Sequence, residues 1–123
     1  MNTKLFIRPS REIKFRALFS GMDGEKEWKY IGANERFDQA GWSQETPWLQ
    51  YTGLKDKNGK DIYEGDITEC ALHGRCAVEY RTGSFGIVGG TPNGFRSGEH
   101  LGWYPHNHEV IGNIHENPEL IPA

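Results

Sequence analysis

The chain has 123 residues and a formal net charge of -3 at pH 7, with 36% hydrophobic and 12% aromatic residues. That length suits a single domain spanning 1–123 with a core of its own, so neither a metal nor a disulfide is needed to hold it. No stretch approaches the run of about 20 apolar residues that a membrane span requires, and the first residues lack the apolar segment of a secretion signal. Sixteen glycines and six prolines favour turns over long helices. The two cysteines, Cys70 and Cys76, are expected as thiols rather than a bridge, because nothing points to an oxidising compartment. Charge is uneven: Lys4, Arg8, Arg11, Lys14 and Arg16 stand against Glu12 alone in the first twenty residues. A basic end on an acidic body suits either a nucleic-acid contact or an internal charge complement, and the acidic overall balance favours the complement.

In chain order, residues 12–20 alternate Ile13, Phe15, Ala17 and Phe19 with Lys14, Arg16, Leu18 and Ser20, the period of a half-buried strand. Gly21–Lys26 reads as a turn and 27–31 as a second strand. In residues 32–46, Asn34 is placed to cap a short helix over Arg36–Ala40 that Gly41 would end; an irregular loop is the alternative. Asn58-Gly59 predicts a hairpin with a type I′ turn centred on those two residues. Lys57 then faces Lys60 and Asp56 faces Asp61, two like-charge pairs that cost stability. Further strands are predicted over 64–72 and 75–82, joined through His73-Gly74, then over 84–88 and 109–115. Short strands with turn signals at this spacing predict an all-β barrel or sandwich.

Several constellations suggest chemistry. Asp56-x-Asn58-Gly59 resembles part of a calcium loop, but its glycine comes too early and no glutamate falls at the required place; a solvated turn is the better reading. Glu64 and Asp66 flank Gly65 and read as exposed turn carboxylates. His106 and His108, with His100 nearby, would share one face of a strand and could hold a metal, although Pro105 argues for a loop. Trp28, Trp42, Trp48, Trp103, Tyr30, Tyr51, Tyr80 and Tyr104 could form a stacking platform for single-stranded nucleic acid; a core or subunit interface uses such residues equally well and is favoured. Cys70 or Cys76 beside His73 makes a weak nucleophile pair. Gly83–Gly90 lacks the lysine of a phosphate loop.

The segment QYTGLKDKNGKDIYEGD (50–66) closely resembles the signature of the YopX protein family, found in bacterial phages and prophages. Residues 11–17, REIKFRA, resemble its N-terminal strand, and residues 110–120, VIGNIHENPEL, resemble its C-terminal motif. The resemblance spans most of the chain, with 21–46 and 89–108 departing from the pattern. It implies a small phage protein with a mostly β, barrel-like fold, oligomeric and acting in the cytoplasm of the bacterial host, and it brings no catalytic residue or cofactor.

The expected fold is therefore all-β, with at most a minor helix: a small SH3-like or related barrel, YopX-like. The expected function is that of a non-enzymatic accessory protein that binds, as a homo-oligomer, a phage or host protein. The alternative is nucleic-acid binding through Arg8, Arg11, Lys14, Arg16 and the aromatic residues. A third reading is a metal-assisted hydrolase at His100, His106 and His108.

Overall fold

A computed structural model describes residues 12–81, 83–89 and 105–121. Nine antiparallel strands are present among them: β1 (Lys14–Gly21), β2 (Lys26–Gly32), β3 (Trp42–Gln44), β4 (Leu49–Lys55), β5 (Asp61–Tyr63), β6 (Asp66–Cys70), β7 (Gly74–Arg81), β8 (Ser84–Gly89) and β9 (Glu109–Asn113). Two short 3₁₀ turns, Pro105–Asn107 and Pro118–Leu120, complete the described elements. One sheet runs β2-β1-β4-β5, with β3 also paired to β1; the other runs β8-β7-β6-β9. The protein is all-β, with a sheet curled into a half-barrel.

β1 organises the first sheet. Its Lys14–Ser20 pairs with Gly32–Lys26 of β2 across the Met22–Glu25 turn. Its other edge is shared: Phe15 and Arg16 pair with β4, while Phe19 to Gly21 pair with β3. Between those two contacts Thr46 accepts the Leu18 N–H at 3.1 Å. Four successive residues, Arg16 to Phe19, are buried, so β1 is covered on both faces rather than half-exposed as its alternation suggests.

No helix forms over Arg36–Ala40. The chain there is irregular and is held by Phe37, whose ring packs on Phe19 and Trp48 at 4.6 and 5.6 Å. Packing one half-buried aromatic fixes a loop without secondary structure.

The two sheets join at the Glu64-Gly65 turn between β5 and β6. Gly65 takes φ +88°, donates its N–H to the Val78 carbonyl and accepts from the Ile114 N–H, both at 2.8 Å. A glycine adopts this conformation without steric cost. Ile62, Cys76, Val78 and Ile87 form a core cluster against which Phe85 and Val110 pack. Cys70 and Cys76 are not joined by a disulfide.

The β4-β5 hairpin differs from the expected turn. The Gly59 N–H reaches the Asp56 carbonyl at 3.0 Å, and the Asp56 N–H reaches the Lys60 carbonyl at 2.8 Å. Lys57 and Asn58 are therefore the central residues, and Gly59 follows as a bulge at φ +81°. Lys55 faces Asp61 and Tyr51 faces Tyr63, so the like-charge pairs of the sequence reading are replaced by an opposite-charge pair.

Candidate functional site

The cleft between the sheets is built on Arg16. Its β1 position points it across the Glu64-Gly65 turn, where Nη2 bonds Asp66 Oδ1. The guanidinium carbon lies 4.2 and 4.4 Å from the ring centres of Trp28 and Tyr63. Such stacking is strongest when the cation is desolvated, and both partners of the ion pair are buried. Asp66 Oδ2 accepts the Tyr63 N–H at 2.8 Å, which fixes the carboxylate across the turn. Burial outweighs the opposing pull of Arg16 and lifts the Asp66 carboxyl to about 6. The Arg16 Nε is buried with no acceptor among the described residues.

Around this centre lie two contiguous hollows of about 340 and 380 Å³, which share Arg16, Tyr30 and Lys60. One extends toward Lys14 and Asp61. The other runs along β9, past Val110 to Asn113 and on to Glu116 and Asn117. Glu116 Oε1 accepts from the Trp28 indole at 3.0 Å and from Asn113 Nδ2 at 2.8 Å, linking β2 to the end of β9. Lys14 donates to Asp61 Oδ2 at 2.9 Å and sits 4.7 Å from the Tyr51 ring centre.

The β9 side of the cleft is sealed by side chains. Asp56 is buried, and its Oδ1 accepts the Asn58 and Lys60 N–H groups at 2.8 and 2.9 Å. Its Oδ2 accepts the Val110 N–H at 2.9 Å. Asn117 Oδ1 accepts the Asn113 N–H at 3.3 Å. Side-chain oxygens thus occupy donors that an added strand would otherwise use.

Of the residues singled out from sequence, Lys14 and Arg16 belong to this cleft, each paired with an aspartate, while Arg8, Arg11 and His100 lie outside the described residues. The structure does not set His106 and His108 on one face. His106 is exposed in the 3₁₀ turn Pro105–Asn107, whereas His108 is buried and shares a hydrogen bond of 3.0 Å between Nδ1 and the Thr68 hydroxyl. His108 stacks instead on His73, with ring centres 6.4 Å apart. Among the described residues no group of three or more His, Cys, Asp or Glu side chains is arranged to hold a metal. Asp66 and Asp56, read as exposed, are the two buried carboxylates that hold the cleft. The burial of Asp66 has no local sequence signal, because distant Arg16 imposes it, whereas Asp56 is held both by the turn's own Asn58 and Lys60 N–H groups and by distant Val110. One signal was available: each of the three segments that carry the family resemblance contributes to this one cleft. Arg16 comes from the first, Tyr63 and Asp66 from the second, and Asn113, Glu116 and Asn117 from the third.

An all-β protein whose two sheets meet over a cleft centred on an aromatic-flanked Arg–Asp pair is the class that fold and site define. The family model described as YopX protein matches residues 14–122, and the chain belongs to that family. It is similar to the crystal structure of protein EF1440 from Enterococcus faecalis, at 27% identity over 92% of this chain and 100% of that one, with a TM-score of 0.50. No curated protein matches the chain. Among the described residues no helix is long and apolar enough to cross a membrane.

Proposed function

We propose that this is a phage or prophage accessory protein that works by binding in the cytoplasm of the bacterial host, without catalysis, and in self-associated form. One observation carries the reading: the three segments that carry the family resemblance converge on a single open cleft. Arg16 and Asp66 hold each other there, and Asp66 Oδ2 is committed to a backbone N–H. A general acid or base must reach a substrate proton, and this carboxylate is aimed at the protein itself. The arrangement suits recognition by a rigid, preformed surface.

Binding to a protein partner is favoured over binding to a nucleic-acid backbone. Lys14 and Arg16, the described members of the basic N-terminal strand, already spend their charge on Asp61 and Asp66, whereas phosphate binding draws on uncommitted cations. The test is purification of the full chain from bacterial cells in which its phage is induced, followed by size exclusion with light scattering. A partner co-eluting in fixed ratio, or a self-assembled species at micromolar concentration, is the expected result. A bare monomer that retains nothing would overturn the reading.

A further inference from the structure

The cleft holds donors that the fold does not use. An arginine carries five N–H groups. Among the described residues the hydrogen-bond acceptor of Arg16 is Asp66, and the Nε lies buried with no acceptor. A buried donor without a partner calls for an explanation, because it forfeits its hydration with no hydrogen bond in return. Lys60, on the β4-β5 hairpin, lines both hollows beside Arg16. It is exposed, and among the described residues no carboxylate forms an ion pair with it, in contrast to Lys14, Lys55 and Lys57. Tyr30 forms the facing wall and is 57% exposed, with its ring edge-on to Tyr63 at 6.0 Å. The amide side chains of Asn113 and Asn117 stand further along the same hollow.

We propose that this cleft binds an acidic side chain on an extended peptide segment of a protein partner, with Lys60 and the guanidinium edge of Arg16 sharing the carboxylate. The exposed ring of Tyr30 packs against the apolar part of the flanking residues, and the Asn117 amide nitrogen meets a peptide carbonyl, since Asn113 is already bonded to Glu116 and His115. Two hollows of about 340 and 380 Å³ accommodate a few residues in line. A polyphosphate backbone fits less well: Asp61, Asp66 and Glu116 also line the cleft and repel successive phosphates, while a single carboxylate meets only the Lys60–Arg16 pair. The proposal rests on the binding role stated above and names the chemistry of that same site.

The test is a titration of the full chain with a short capped threonine peptide carrying one central glutamate, followed by the NMR signals of the Arg16 Nε–H and the Trp28 indole N–H. Saturable shifts of both are expected, absent with the threonine–glutamine counterpart and weakened about tenfold by Lys60→Gln, the scale of one charge-assisted contact. Lys26→Gln removes a lysine on β2 outside the cleft and should leave the titration unchanged. Equal shifts with the glutamine peptide, or equal effects of the two lysine substitutions, overturn the proposal. Inorganic phosphate or a thymidine oligonucleotide moving the same signals at lower concentration than the glutamate peptide overturns it as well, by assigning the cleft to phosphate. If induced cells yield a partner that Lys60→Gln does not weaken, the binding role stands and this site for it falls. If the peptide fails to bind and the chain also retains no partner, both fall.

Discussion

Arg16 and Asp66, 50 residues apart in the chain, meet as a buried ion pair that closes the junction of the two sheets. Replacing Arg16 with glutamine leaves the Asp66 carboxylate buried without its cation. Removing one partner of such a pair costs about 3–5 kcal/mol. The loss should depend on pH. A carboxyl whose folded value is raised, here to about 6 from 3.8, takes up its proton in the folded state first, so acidification through that window stabilises the fold. Without Arg16 the value rises further, and the relief begins at higher pH and is larger. Urea denaturation of Arg16→Gln should therefore show its full deficit near pH 8 and a smaller one near pH 5. The same deficit at both would mean that the carboxylate is not the charge being stranded.

His108 pulls the other way over the same range. Burial, with a smaller contribution from His73, holds its imidazole down to about 4 from 6.5. The unfolded chain then binds the extra proton between those values, and stability falls as pH drops through them. In the wild type the gain from Asp66 and the loss from His108 oppose each other. His108→Gln removes only the loss, so the stability of this variant relative to wild type should climb as pH is lowered from about 7 to about 5. An NMR titration that shows His108 protonating near its ordinary value would refute this.

The elements easiest to read from sequence were those whose own residues settle them. The strand periods of 12–20 and 27–31 match β1 and β2 within two residues. The β6-β7 hairpin also forms, but its turn is residues 71–73 and Gly74 is the first residue of β7, paired with Cys70. β3 escaped, and of the β4-β5 hairpin the sequence showed the turn but not the strand bounds or register. β3 is only three residues long and is defined by the edge of β1 that it borrows, while β4 and β5 carry the glycines, charges and turn residues of the hairpin within their pattern. The hairpin register itself was legible in retrospect. Like charges facing each other at two successive positions argue for a shift of one residue, and the Gly59 bulge supplies it. The cleft was the least legible part. Arg16 looked like the polar face of an amphipathic strand, because nothing near it in sequence announces Asp66, Trp28 or Tyr63 as its surroundings. Over 36–40 the irregular loop prevailed over the short helix because Phe37 packs on Phe19 and Trp48, a tertiary contact that local capping signals do not register.

Asp56 ties the β4-β5 turn to β9 through backbone donors of Asn58, Lys60 and Val110. Although burial alone would raise its carboxyl, these hydrogen bonds hold it below the usual range. Its contribution is thus present above about pH 4 and is lost as pH falls through its lowered folded value. Asp56→Ala leaves three N–H groups without that acceptor. The two in the turn can reach water, and Val110 is half-buried, so a loss of about 2 kcal/mol is expected. Asp56→Asn, which keeps a neutral carbonyl acceptor, should lose less. Hydrogen exchange at the Val110 amide should accelerate in the alanine variant; unchanged exchange there would show that β9 does not depend on this carboxylate.

Gly112 is required by its neighbour rather than by its own backbone. A Cβ at this position would lie 2.6 Å from Asn117 Oδ1 and 3.0 Å from Leu120 Cδ1. That same Oδ1 accepts the Asn113 N–H, so relieving the contact by rotating Asn117 uncovers a backbone donor in β9. Gly112→Ala is expected to cost about 1–3 kcal/mol, as overpacking does elsewhere. Asn117→Gly alone removes the acceptor and should cost about 1 kcal/mol. In the double variant the methyl group has lost its obstacle at Asn117, so the combined loss should be smaller than the sum of the two single losses, the signature of direct coupling. Strict additivity in denaturation would mean that Asn117 is not what forbids a side chain at Gly112, leaving Leu120 as the obstacle.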